Sequence, residues 1–546
     1  MVSPPSSPQE FESGSGWSFP VSNATSSFWT ASAPDVNPLA RAGSIGPLTV
    51  DADVCIVGSG ITGVSVAYHL SKLFARDDGA HVRPSQPLSV VIFEARDFCS
   101  GATGRNGGHL SAHNFQGFQR NTAAWGIIDA IRAVHIEEHV VEAIASLLQD
   151  SGLENEVDLV EGVRTNLYFT KEEEEKARDE FEAAKAAGID VSAIEWLPRS
   201  EVEKTYGASY PAVRLPGRTI WPLKLVTHLF KLAQNASSAV SVKLHTHTPV
   251  TALNPSSDPE TEDPHSSPRP RRWKLETPRG SVRCTHVVHA TNAYASALLP
   301  QLSVGRTGIV PTRGQVIAIR AAVPARELTL SGFTADHGMD YWFVRPGSAP
   351  DERPLVILGG ERLVEGSARG ATTDDSVLDT VVGRRLRAFL PGVFPGKFEN
   401  GSEPEMEWTG IMGFTELGDP FVGPVLDKFE FGGVPYEGQY IAAGFSGHGM
   451  PRAFGCADIV ARMIASKITN QEWEFPAWLP LHYLTSLDDY QSAFLLKTEN
   501  CLTELAVKRR TDDEPHIVIL SSFTVNFLES QTLQCFIFWV CTSQHN

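Results

Sequence analysis

A short apolar strand that runs into closely spaced glycines and then into a helix restricts a chain to few folds. Asp53 to Gly63, DVCIVGSGITG, has that form. Val54 to Val57 read as a buried strand, and Gly58, Gly60 and Gly63 follow in G-x-G-x-x-G spacing. Val64, Ala67, Tyr68 and Leu70 then continue at helical period. The first glycine permits the tight turn, the second lets the backbone approach a pyrophosphate, and the third lets helix and strand pack. Free N–H groups and the positive end of the new helix favour phosphate. A lone triplet also fits a plain strand–turn–helix, so other segments must supply what a dinucleotide needs.

A second apolar strand, Leu88 to Phe93, ends on Glu94 and Ala95. A carboxylate there accepts both ribose hydroxyl protons, although Glu94 alone would equally suit a solvated strand end. Its distance from Gly63 exceeds the usual ~20 residues, and the polar loop Asp77 to Pro87 accounts for the excess. Next comes Ser100 to His109, SGATGRNGGH, too rich in small and polar residues for a helix interior and too long for a simple turn. Ser100, Thr103, Gly104, Asn106, Gly107 and Gly108 suit a cradle for phosphate and ring heteroatoms, and Arg105 adds charge. Far downstream, Tyr440 to Ile464 repeats the opening arrangement: a strand, a turn with Gly444, Gly447 and Gly449, then a helix. A helix N-terminus there suits a ring that is negative when reduced.

Between these segments, Ala123 to Leu148 reads as one long amphipathic helix and Val157 to Phe169 as a strand pair. Lys171 to Ala187 reads as a charged helix whose Glu172 to Glu175 run is a solvated face, not a metal site. A Trp-Pro corner at Trp221 leads to a helix and the strand Val240 to His245, with His245 and His247 read as surface residues. Residues 254–272 read as a disordered insert, after which a buried strand closes on Ala290, Thr291 and Asn292. Val310 to Arg320, Asp340 to Arg345, Leu355 to Gly360 and Met406 to Thr415 suggest a largely antiparallel sheet. The helix Ser376 to Leu390 is expected to stop at Pro391.

A chain of 546 residues calls for two or three cores. A net charge of −18 argues against nucleic acid or an anionic membrane as a main partner. Seven scattered cysteines without a C-x-x-C pair make neither a disulfide framework nor a zinc site, and suit a reducing, cytoplasmic setting. No metal site is read from the sequence. Residues 1–49 read as a disordered leader without a secretory signal, though Trp17, Phe28 and Trp29 offer docking groups. Residues 485–546 form an extension of unknown structure, and the apolar patches Ile517 to Leu520 and Cys535 to Val540 have no evident partner. Polar residues interrupt His516 to Val540, so no membrane span is expected.

Taken in order, VGSGITG with Glu94, SGATGRNGGH, HATNAYA, VPTRGQV, LVILGGER, EWTGIMGFT and GFSGHGM resemble the FAD-dependent amine and amino-acid oxidoreductases typified by glycine oxidase, monomeric sarcosine oxidase and D-amino-acid dehydrogenase. The likeness is nearest to the fungal and bacterial branch that includes gamma-glutamylputrescine oxidase, and it covers roughly Val50 to Pro480. It implies an α/β fold: a Rossmann-type FAD domain from 50–120, 217–300 and 405–480. A mainly antiparallel substrate domain from 121–216 and 301–404 completes a glutathione-reductase-like arrangement.

By the same resemblance, Gly58, Gly60 and Gly63 contact the FAD pyrophosphate, Glu94 the ribose, and Ser100 to Gly108 the pyrophosphate and flavin edge. Val250 touches adenine through its backbone, Ala290 to Asn292 lie along the dinucleotide, and Gly444 to Met450 face the isoalloxazine. Arg105 stands where covalent relatives carry a flavin-linked His, and no Cys stands beside the C-terminal flavin strand, which implies non-covalent FAD.

The implied reaction is oxidation of an amine or amino-acid C–N bond. Hydride passes to flavin N5, the imine hydrolyses, and the electrons go on to dioxygen or another acceptor. Arg313, Tyr341, Arg345 and His448 are the candidate substrate contacts, an arginine fork being suited to a carboxylate. An ion pair with Glu361 or Asp340 is the plainer reading of either arginine, and capping or packing that of His448. Oxidation of an alcohol on the same architecture, and flavin binding without turnover, remain open alternatives.

Overall fold

The computed structural model of the chain describes residues 17–75, 87–256, 270–362, 371–427, 435–486, 518–526 and 532–540. The first residues of the leader, most of the polar loop before Leu88, and residues 257–269 of the insert lie outside them. Residues 1–486 form one unit and 487–546 a second.

The strand Asp51–Val57 lies inside the first sheet of the larger unit. The order there is Phe421–Leu426, Pro435–Ala443, Gly280–His289, Asp51–Val57, Leu88–Phe93, Val240–His245. Every pairing from Pro435–Ala443 to Val240–His245 is parallel. The inner strands Asp51–Val57 and Leu88–Phe93 are covered on both faces and so read as near-continuous apolar runs; Asp51–Val57 is buried from Ala52 onward, whereas the edge strand Val240–His245 alternates. The helix Ile61–Leu73 packs against Pro222–Asn235 and Ala453–Thr469. Register places Val57 beside both Phe93 and His289, so the strands' carboxyl ends and the loops after them share one edge.

The second sheet runs Met406–Phe414, Val310–Arg320, Leu355–Gly360, Asp340–Val344, Gly332–Ala335, Val160–Leu167, Ala212–Thr219, His109–Leu110. Its pairings are antiparallel except that of Gly332–Ala335 with Val160–Leu167. Thr380–Val393 packs its apolar side (Val382, Leu386, Leu390) into this sheet's core with Ile317, Trp342 and Leu358. Met406–Phe414, expected in the FAD domain, pairs here instead, from Val310↔Phe414 to Ala318↔Met406.

Several expectations change. The leader is not loose over residues 17–49: Ser27 caps the short helix Phe28–Ala31, and Trp29 is fully buried. Composition missed this because what fixes the segment is tertiary, namely the rings of Trp221 and Phe343 around Trp29. The long helix is two, Phe118–Trp125 and Ile127–Ser151, divided at Gly126 with φ +81°. Ile127, expected on the apolar face, is 51 % exposed. Val157 to Phe169 supplies one strand, Val160–Leu167, not a pair. The later helix starts at Thr380 under an Asp379 cap and runs through Pro391 to Val393. His245 is buried, with its ring against Gly43 O at 3.1 Å and Thr49 Oγ1 at 3.0 Å.

In the second unit Val518–Asn526 pairs antiparallel with Thr532–Val540, so the two patches read as partnerless pair with each other. Among the described residues, no helix is long and apolar enough to cross a membrane.

Candidate functional site

A cavity of about 700 Å³ opens at the carboxyl edge of the parallel sheet and reaches across the face of the second sheet. At one end lies the glycine turn. Gly58 has φ +109°, and a Cβ there would stand 2.7 Å from Ala290 O. Only glycine fits. Gly63 sits behind the turn, where a side chain would strike Gly58 O and Ile56. Helix Ile61–Leu73 begins with Gly60 as cap and no acidic residue in its first turn, and its positive end faces the cavity.

Glu94 lines the cavity, but its carboxylate is partly engaged. Oε2 accepts from Ser59 N at 3.1 Å and Ser59 Oγ at 2.7 Å, and Oε1 from Arg96 N at 2.9 Å. With two acceptor directions per oxygen, one remains, on Oε1.

The wrap is held from behind. Thr103 Oγ1 accepts from Ile61 N at 3.1 Å, and Trp29 Nε1 donates to Asn106 O at 2.6 Å. Arg105 lines the cavity, but its guanidinium is engaged within the protein. Its Nε donates to Ser100 O at 2.7 Å, its Nη1 to Thr409 O at 2.8 Å, and Asp375 lies 3.4 Å away. Burial pulls its pKa down to about 10 against the opposing pull of Asp375. Ala95, Val250, Ala290, Thr291 and Asn292 all line the cavity, whereas Ser100 and Gly104 stand behind it. Thr291 Oγ1 is buried without a hydrogen-bond partner, an unmet polar group in this wall.

At the far end, Gly447, His448, Gly449 and Met450 line the cavity. Gly444, with φ +84°, lies behind them, and Asn292 Oδ1 accepts from its N–H at 2.9 Å. Asn292 thus ties the two ends together. Tyr341 fills the middle, its ring occupying the space that a Cβ on Gly107 or on Gly359 would need. Burial raises its phenol to about 12.

The two arginines expected to meet substrate do not line the cavity. Along Val310–Arg320 side chains alternate faces, and Gly314 and Val316 face the cavity, which turns Arg313 away. Its Nη1 reaches Asp374 O at 3.3 Å. Arg345 lies under the docked leader, paired with Asp158 and with its guanidinium 5.3 Å from the Trp29 ring and 4.8 Å from Trp221. Among the described residues Arg345 pairs with Asp158 and Arg313 donates to the Asp374 carbonyl, in place of the expected Glu361 or Asp340.

Other cations take their place. Arg362, two residues past the end of Leu355–Gly360, lines the cavity and lies 5.0 Å over the Phe414 ring. Arg164 is buried on Val160–Leu167; its Nη2 donates to Gln116 Oε1 at 2.9 Å, and its Nε has no hydrogen-bond partner. Burial lowers it to about 10. Sequence reading missed both, although Arg362 stood inside LVILGGER, at a strand end.

It also missed Glu137, fully buried on the inner face of Ile127–Ser151. Glu137 receives His113 N at 2.6 Å, Arg452 Nε at 2.7 Å and His448 Nε2 at 3.2 Å. Burial alone would raise this carboxyl, but His448, Arg452 and His113 outweigh it and hold it well below the usual range. A glutamate at a core position of an amphipathic helix was the available signal. His113, Glu137 and His448 bring their ligand atoms within 4.8 Å of one another. Their geometry is that of a hydrogen-bond cluster, because the imidazoles lie parallel at 16° and do not converge, and Arg452 occupies a carboxylate oxygen.

The chain is 24 % identical to gamma-glutamylputrescine oxidoreductase of Escherichia coli over 485 residues, covering 84 % of this chain and 92 % of that one. It is 24 % identical to glycine oxidase of Geobacillus kaustophilus over 430 residues, 76 % and 94 % of the two chains. The crystal structure of glycine oxidase from Geobacillus kaustophilus superposes with a TM-score of 0.57 at 20 % identity, covering 80 % of this chain and 99 % of that one. That of L-proline dehydrogenase from P. horikoshii gives 0.56 at 18 %, over 81 % and 99 %. These structures share the fold: a Rossmann-type domain with a substrate domain. Residues 53–463 match the DAO family of FAD dependent oxidoreductases, and the chain belongs to that family.

Proposed function

We propose that the chain oxidises the C–N bond of an amine or amino acid that also carries an anionic group, using FAD held without a covalent link. The observation that carries this reading is that one cavity is lined at one end by the glycine turn and helix N-terminus, and at the other by Tyr341, Arg362, His113 and His448. Gly58, Gly60 and the first turn of Ile61–Leu73 would hold the pyrophosphate, Glu94 one ribose hydroxyl, and Thr291 Oγ1 an acceptor on the cofactor. Gly447 to Met450 would back the flavin ring. When bound, FAD supplies the two-electron acceptor.

The chain's own residues bind, orient and exclude water. Arg362 and Arg164 offer guanidinium groups to a carboxylate, and the buried Tyr341 ring closes one wall. No described cysteine lines the cavity, and Arg105 is tied to Asp375, which supports a non-covalent cofactor.

Arg120 and Lys176 line the same cavity. With Arg164 and Arg362 they put four cations on its wall, as an alcohol bearing a phosphate would require, although Glu173 and Glu180 line it too; this charge favours the second reading. Anaerobic addition of amino acids, amines, hydroxy acids and glycerol phosphate to the purified holoprotein separates the two. Bleaching by amino acids or amines is expected, and bleaching confined to the hydroxyl compounds would reverse the assignment.

A further inference from the structure

His113 and His448 come from distant parts of the chain, and their rings stack with centroids 3.5 Å apart. Both line the cavity, with side-chain exposures of 38 % and 22 %. Behind them Glu137, with a side-chain exposure of 2 %, faces His113 Nδ1 at 3.5 Å and His448 Nε2 at 3.2 Å. A carboxylate only accepts, so each of those nitrogens carries its proton. The two nitrogens of an imidazole point away from each other, so His113 Nε2 and His448 Nδ1 carry lone pairs on the side away from Glu137, and both residues line the cavity. The second hydrogen bond fixes the tautomer, as a carboxylate behind a histidine does elsewhere.

We propose that the stacked imidazoles of His113 and His448 form the subsite that accepts hydrogen bonds from the substrate's amine nitrogen, admitting that nitrogen in its neutral form. Glu137 is the positioning residue. This inference rests on the amine-oxidation reading above.

The surrounding charges favour a neutral occupant. Glu137, on Ile127–Ser151, is matched by Arg452 at 2.7 Å, and Arg452 is shared with Asp419 at 3.1 Å and lies over the Tyr483 ring. Arg164, on the neighbouring strand, adds a positive charge toward His113. Burial, then the neighbouring imidazole, holds His448 down to about 3, and burial lowers His113. Two stacked rings resist both being charged, and an ammonium would meet the positive charge of Arg164 toward His113. A neutral amine has N–H groups to donate and a free lone pair, the state from which hydride can leave its α-carbon.

The probe is tert-butylamine, which has no α-hydrogen and so binds without being oxidised. It is titrated into the holoenzyme from pH 7 upward and followed by the flavin difference spectrum. Its apparent Kd should fall about tenfold per pH unit until the amine's own pKa, because only the neutral fraction is competent. His113→Phe, which keeps a stacked ring but removes the acceptor, should weaken binding roughly tenfold, the size of one or two hydrogen bonds. Histidine ¹⁵N spectra should show two neutral rings, each in one tautomer, and Glu137→Gln should mix the tautomers while the flavin stays bound. A Kd that ignores pH, or equal binding in His113→Phe, would overturn the proposal. If tert-butylamine binds as described yet no amine bleaches the flavin, the subsite stands and the amine-oxidation reading falls. If amines bleach it but binding is unchanged in His113→Phe, the reverse holds.

Discussion

Trp29 Nε1 donates to the Asn106 carbonyl at 2.6 Å, joining the leader to the glycine-rich wrap. Trp29 is fully buried against Trp221 and Phe343, and Trp221 Nε1 in turn donates to Trp29 O at 3.0 Å. Trp29→Ala should therefore cost about 3–5 kcal/mol. A lower denaturant midpoint, with flavin lost on gel filtration, checks it; an unchanged midpoint would mean that the leader docks without holding the wrap.

Arg362 and Arg313 offer a direct contrast. Arg362 lines the cavity and Arg313 is turned from it. Arg362→Ala is expected to raise KM for a carboxylate-bearing amine about tenfold or more, as for a lost charge-assisted pair. Arg313→Ala should change it by no more than about twofold. Steady-state kinetics with matched amines, one with and one without a carboxylate, decide whether the effect follows the anion.

Asp340 is buried beside Tyr341, and burial raises its carboxyl to about 7. Its unfolded value is about 3.9. Between these values the folded chain holds a proton that the unfolded chain lacks, so this group's contribution falls as pH rises from about 4 to about 7. Asp340→Asn mimics the protonated form and keeps an oxygen for the Glu361 N–H, which Asp340 accepts at 2.9 Å. Its Tm should exceed that of the parent by roughly 2 °C or more at pH 8, and the gain should vanish near pH 4. A gain that does not depend on pH would contradict the assignment.

Residues 1–486 form a unit of their own. A chain ending at Ser486 should keep the flavin content and the spectrum of the full chain. Loss of flavin on truncation would show that the C-terminal unit is needed to hold the cofactor.

The inner strand Leu88–Phe93 was legible because burial on both faces writes itself as a near-continuous apolar run, and the edge strand Val240–His245 because its side chains alternate between buried and exposed. The glycine turns were legible because Gly58, Gly444 and Gly447 sit at positive φ. What escaped depends on partners far away in sequence. Strand alternation decided that Arg313 faces away, but only the register with Met406–Phe414 shows which face borders the cavity. Arg345 looked like a substrate fork until Trp29 and Asp158 were seen around it. Glu137 looked like one of several acidic residues on a helix, and its meaning comes from His113, His448 and Arg452 converging on it.

One cavity joins the proposed cofactor grip to the face proposed to oxidise amines. The most direct test is a single anaerobic turnover of the holoprotein with an amino acid carrying deuterium at its α-carbon, set against the unlabelled compound. Bleaching of the flavin is expected, slower for the labelled substrate, with carbonyl product formed in proportion to flavin reduced. Bleaching by hydroxy compounds alone, or none with any amine, would contradict it.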